Sequence, residues 1–119
     1  MEQKYVLTDE TRIIGNGCIL HRIRATRDII LAGVKIARDG ELGGWVECAD
    51  NLSHGGNAWV FGNAEVSGNA WVFGNAFVSD GAKVSGNAKV SGNVEVSGNA
   101  RVSGNVRVFG DARVYDDGK

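Results

Sequence analysis

Gly56-Asn57-Ala58-Trp59-Val60-Phe61-Gly62-Asn63-Ala64-Glu65-Val66-Ser67 holds the first two of ten tandem six-residue units that continue without insertion to Tyr115. Each unit has Val in its fifth place, from Val60 to Val114 at intervals of six, and a small apolar residue in its third, Ala except at Val94 and Val106. Gly opens every unit but the one starting at Asp80, and Asn follows in all but two, where Gly81 and Asp111 stand instead. A fixed internal period marks an architecture in which each unit buries its apolar face against its neighbours.

Successive strand residues point to opposite faces, so Ala and Val two places apart share one face and the two variable residues share the other. The unit thus reads as a four-residue strand, with Gly-Asn as the corner: Gly takes backbone angles closed to other residues, and Asn tolerates the left-handed region. Ten such strands in an antiparallel meander would leave a Val/Ala face uncovered, because no amphipathic helical segment exists to pack on it. In a solenoid the same columns point at a common axis and the coils stack at about 4.8 Å, the spacing of paired strands. Burying a Val contributes roughly 1.5–3 kcal/mol. The expected fold is therefore all-β, a single-stranded parallel β-helix.

The cycle Val-x-Gly-Asn-Ala-x resembles that of the hexapeptide-repeat proteins, which form left-handed parallel β-helices of triangular section with three units per coil. That family often has Gly directly after the aliphatic residue; here Ser, Phe or Tyr occupies that place and Gly comes one later. Left-handedness is implied by the resemblance. Over the whole chain, the opening Lys4-Tyr5-Val6-Leu7-Thr8-Asp9-Glu10-Thr11, the stretch His21-Arg22-Ile23-Arg24-Ala25, and Leu42-Gly43-Gly44-Trp45-Val46-Glu47 running into Asn51-Leu52-Ser53 look like the entry region of bacterial and prophage YdcK-type repeat proteins. Members are called transferases on the repeat alone, and the name carries no demonstrated chemistry.

The entry segment differs from the repeats. A strand through Arg12-Ile13-Ile14, a turn at Gly15-Asn16-Gly17 and a return from Cys18 to Ala25 read as a β-hairpin, for which Asn-Gly is a strong short signal. Ile29 to Ala37 reads as a strand bent at Gly33. Val34 to Val46 spans twelve residues, two repeat lengths, while Val46 to Val60 spans fourteen, so Trp45-Val46 belongs to an irregular early coil with two extra residues in the loop from Asp50 to Gly56. Residues 1–40 are expected to cap the solenoid, 41–115 to form it, with regular hexapeptides over 56–115, and 116–119 to be a tail.

The 119 residues carry a net charge of −1, and the repeat half is neutral, a balance that does not suggest nucleic acid. No apolar run is long enough to span a bilayer and no charged-then-apolar leader follows Met1, so a cytoplasmic location is expected, with no membrane partner. Cys18 and Cys48 have no neighbouring Cys or His at metal-ligand spacing and read as free thiols.

Hexapeptide-repeat acyltransferases use a His as general base between subunits of a homotrimer. Only His21, in the hairpin, and His54, in the irregular loop near Glu47 and Asp50, are present. His54 is accordingly the base in an acyltransferase-like alternative. The zinc carbonic anhydrases built on this solenoid need three His, and two cannot supply them. No phosphate-binding Gly-rich loop, calcium nonapeptide or outward Thr array occurs. No cofactor, metal or small-molecule substrate is implied.

Only the outward places vary. With three units per coil, residues 18 apart stack: Trp59, Phe77, Glu95 and Arg113 on one face, Glu65, Lys83 and Arg101 on another, Trp71, Lys89 and Arg107 on the third, with Phe61, Phe73, Phe109 and Tyr115 after the Val column. Cations gather in the later coils, where a solvated surface is the plain reading. Trp59, Phe61, Trp71, Phe73 and Phe77 concentrate in the early coils; either the entry segment folds over them or they form an interface exceeding the scattered apolar exposure of a soluble monomer. The function expected is a non-catalytic structural or protein-interaction module, self-associating or binding a protein partner through these aromatics, of phage or prophage derivation.

Overall fold

The computed structural model describes residues 4–14, 17–31, 33–53, 57–111 and 113–116. Ten short strands form the regular part: β6 (Trp59–Val60), β7 (Glu65–Val66), β8 (Trp71–Val72), β9 (Phe77–Val78), β10 (Lys83–Val84), β11 (Lys89–Val90), β12 (Glu95–Gly98), β13 (Arg101–Val102), β14 (Arg107–Val108) and β15 (Arg113–Asp116). They fall into three parallel sheets, one per side of the coil. The first face contains β7-β10-β13, the second β8-β11-β14 and the third β6-β9-β12-β15. Every pairing joins residues 18 apart, such as Lys83 with Arg101, Lys89 with Arg107 and Phe77 with Glu95. Three hexapeptides therefore complete one coil of an all-β solenoid of about four turns.

The Ala and Val columns form the axis. From Ala58 to Val102 each member is at most 5% exposed, as alternation requires when every strand turns the same face inward. Burial falls in the last described coil, where Val106 is 47% exposed because no further coil stacks on it among the described residues.

The corners divide their labour differently from the expected one. The left-handed angle falls on the first corner residue: Gly62, Gly68, Gly74, Gly86, Gly92, Gly98, Gly104 and Gly110 all have positive φ, and Asp80, at φ 59°, is the sole non-Gly example among the described residues. Asn instead supplies a lateral ladder. Asn69 Nδ2 donates to Asn87 Oδ1 at 3.2 Å and Asn87 to Asn105 at 3.1 Å; on the next corner Asn75 donates to Asn93 and Asn93 to Asp111 at 3.0 Å. At the remaining corner Gly81 sits between Asn63 and Asn99, and the ladder is interrupted.

The entry segment extends the first face upward. β1 (Tyr5–Ile13) pairs antiparallel with β2 (Ile19–Ala25), the expected hairpin, whose turn residues 15 and 16 lie outside the described residues. β2 pairs antiparallel with β5 (Leu42–Val46), and β5 pairs in parallel with β7, Trp45 opposite Glu65 and Val46 opposite Val66. The stretch from Ile29 is a second hairpin rather than one bent strand: β3 (Ile29–Leu31) returns as β4 (Val34–Ala37), with Gly33 at φ 81° between them. Leu52 bridges Val72, a spacing of 20 residues instead of 18, so the two extra residues fall between Leu52 and Val60, a span including residues 54–56, which lie outside the described set.

Candidate functional site

Trp59 and Trp71 stand in identical local phrases, Gly-Asn-Ala-Trp-Val-Phe, on different faces. Trp59 is fully buried. Tyr5 meets its ring edge-on, with centroids 6.3 Å apart, and the backbone of Gly43 passes so close that a methyl group there would lie 2.7 Å from Trp59 Cζ2. The entry strands thus cover this column at its first rung. Neither the Trp59 nor the Trp45 indole N–H meets an acceptor among the described residues, a cost of roughly 1–3 kcal/mol each that the buried ring area must offset. The Arg12 guanidinium lies 4.1 Å above the Trp45 ring and bonds Glu65 at 2.8 Å, closing the first face.

The cap is fastened by three polar groups that sequence reading did not single out. Lys4 is fully buried and its Nζ donates to the Ala58 carbonyl, while burial, and secondarily the Arg27 guanidinium, lowers its pKa to about 7. The Tyr5 hydroxyl, 2.7 Å from Ala49 O, also lies within donating reach of Leu52 O, and burial raises its pKa. Asn51, 1% exposed, uses both ends of its amide, donating to Gly68 O and Ala70 O and accepting from the backbone N–H groups of Glu47 and Cys48.

Beyond the cap the aromatics separate into two pairs. Phe61 and Phe77 are half-buried, tilted at 46° with centroids 6.0 Å apart, and both pack on the core. Trp71, 40% exposed, stacks on Phe73 with centroids 4.0 Å apart and planes at 26°. Along the second face Trp71 is followed rung by rung by Lys89 and Arg107, and Phe73 by Ser91 and Phe109. These six side chains line an open groove of about 400 Å³. Phe109 is 69% exposed. Arg113 is paired with Glu95 at 3.6 Å, whereas neither Lys89 nor Arg107 takes part in an ion pair among the described residues. The spacing of 18 already aligned these residues in sequence; what it could not show was that rings and cations form one concavity.

His54 lies outside the described residues. His21 is half-buried on β2, opposite Thr11 and Val46. Among the described residues no three His, Cys, Asp or Glu side chains gather as a metal site, and Cys18 and Cys48 form no disulfide. No described helix is long and apolar enough to cross a membrane.

Three parallel sheets on an 18-residue register, filled by one Val and one small residue per side, define a β-solenoid repeat protein. Residues 96–108 match the family model of the YdcK beta solenoid repeat, so over that stretch, slightly more than two hexapeptides, the chain is similar to that family. No curated protein matches the chain.

Proposed function

We propose that this solenoid is a non-catalytic protein-interaction module that self-associates through the aromatic edge between its second and third faces. The observation that carries the reading is the stacked Trp71–Phe73 pair, left open on a regular coil while the same phrase two units earlier has its Trp sealed under the cap. Phe77 follows across the intervening corner, half-buried. Exposed rings clustered on a rigid scaffold are what protein interfaces use at their centres, since they bury large area with little conformational entropy to lose. The scaffold side chains, Ala and Val in and Gly-Asn at corners, are committed to the fold, so specificity rests on the outward places. Light scattering after size exclusion tests this: the wild type is expected to show a mass that rises with concentration, and Trp71→Ser/Phe73→Ser to remain a monomer. A wild type that stays monomeric at millimolar concentration removes the reading.

A further inference from the structure

We infer that two copies join side by side through their second faces, about a twofold axis parallel to the solenoid axis, with Arg107 and Phe109 as binding residues. This rests on the self-association proposed above and specifies its geometry. The groove is two columns wide and three rungs tall, Trp71, Lys89, Arg107 beside Phe73, Ser91, Phe109. An isologous interface presents the same patch from both sides, so a self-pairing surface must be complementary to its own rotated image.

Two rotations bring this face onto itself. A twofold axis along the strands inverts the rung order and sets Lys89 directly against Lys89 of the second copy. Like charges placed opposite one another are destabilising. An axis along the solenoid keeps the rung order and exchanges the columns. Trp71 then meets Phe73, Lys89 meets the Ser91 hydroxyl, and Arg107 lies on the Phe109 ring, each contact occurring twice. Every cation faces a ring or an acceptor oxygen, and the columns hold cations of the two copies roughly 6–7 Å apart laterally. The exposed Phe109 ring and the Arg107 guanidinium, which has no ion pair among the described residues, become one another's partners by cation–π contact.

The footprint is about 14 Å along three rungs and about 13 Å along a four-residue strand, below that of a standard interface. With only about a quarter of the ~800 Å² per partner of a standard interface, association is expected to be weak, with a dissociation constant on the order of 0.1–1 mM. Arg107→Gln, which removes two cation–π contacts per dimer, is expected to weaken it about 5- to 30-fold.

Cysteine cross-linking distinguishes the geometries. An oxidised equimolar mixture of Lys89→Cys and Ser91→Cys chains is expected to yield, by mass spectrometry, a disulfide-linked peptide joining position 89 of one chain to position 91 of the other. Neither variant alone is expected to yield the corresponding symmetric peptide. A strong product joining position 89 to position 89 in the Lys89→Cys variant alone overturns this geometry in favour of the inverted one. An association that persists with no cross-link between these positions overturns the inference while leaving self-association standing. A wild type that never departs from monomer mass ends both.

Discussion

The Asn51 side-chain amide donates to Ala70 O at 2.8 Å, in the place where a coil of regular length would present a backbone N–H. In the repeats each coil's N–H groups reach the carbonyls of the next, as Asn69 N does to Gly86 O. Over Ala49–Asn51 the chain instead makes a 3-10 turn, and Asn51 N is turned back onto Cys48 O. The amide stands in for the missing rung. Asn51→Leu leaves the buried Ala70 carbonyl, the more open Gly68 carbonyl and the Cys48 N–H short of a partner, whereas Glu47 N–H keeps the Val66 carbonyl at 3.0 Å; a loss of about 2–3 kcal/mol is expected in urea unfolding. Asn51→Asp, which keeps the accepting oxygen and lacks the donors, is expected to be destabilised as well; wild-type stability in both variants would show that the turn holds without the amide.

Stability is expected to rise with pH between about 7 and 10 because of Lys4. Burial first and Arg27 second bring its folded pKa from 10.5 down to about 7, so within that window the unfolded chain holds a proton that the folded chain has released. Below pH 7 both states carry the charge and the burial penalty is fully present; as pH rises the unfolded state loses its advantage, at up to about 1.4 kcal/mol per pH unit. Above 10 the trend reverses, since Tyr5 in the folded chain keeps its proton after the unfolded chain has lost it. Urea midpoints of wild type and Lys4→Met at pH 7.0, 8.0 and 9.0 check this. The wild-type midpoint should climb and that of Lys4→Met stay level; equal slopes in the two chains would assign the effect to another group.

What could be read from the sequence follows the repeat. The inward Ala and Val columns and the two-residue excess before Val60 are consequences of local alternation and counting, the 18-residue register is implied by the resemblance to solenoids with three units per coil, and the structure carries all three. The contrast between Trp59 and Trp71 had no local signal, because their phrases are the same; only β5, forty residues after the chain begins and without side chains at Gly43 and Gly44, lets one of them be covered. Asn at the corner was legible as a turn residue, yet its positive-φ role belongs to Gly, and its lateral ladder depends on a neighbour 18 residues away. Asn51 and Lys4 act through contacts 19 and 54 residues distant, which no window of sequence contains.

Gly44, with its neighbour Gly43, is expected to tolerate an added side chain least among the glycines of the entry segment. A methyl group there would sit 2.5 Å from Val60 Cγ1 and 2.8 Å from Ala64 O, both held in the first regular coil. Gly44→Ala must push β5 away from β7 and open the packing above Val60. A loss of about 2–3 kcal/mol is expected. Red-shifted Trp fluorescence should accompany it, since the buried Trp45 follows Gly44 on β5 and the buried Trp59 precedes Val60. Gly40→Ala is the control for an added methyl, because nothing lies within 4 Å of its new carbon, although φ 90° carries its own strain. A Gly44→Ala chain with wild-type stability and emission would mean that the cap seats without this close approach.

Restoring the third corner ladder is expected to stabilise the solenoid. Asp80 holds a left-handed φ of 59°, which costs a non-Gly residue about 1 kcal/mol, while Gly81 leaves a gap between Asn63 and Asn99. The exchange Asp80→Gly/Gly81→Asn gives that corner the sequence of the others. Two amide contacts become available, while the freedom of the unfolded chain is nearly unchanged because Gly81 is lost and a glycine is gained at position 80. Against this, Asp80 Oδ2 no longer accepts from Gly98 N at 3.2 Å, and Asn99 Oδ1, 3.1 Å from the new Cβ, must shift slightly. The balance is a gain of about 1 kcal/mol, visible as a rise of a few degrees in Tm. Gly81→Asn alone should recover most of the ladder and Asp80→Gly alone only the backbone part, so the two effects should be separable in a double-mutant cycle. A double variant less stable than wild type would show that the Asp80–Gly98 contact, and not the amide ladder, is what this corner relies on.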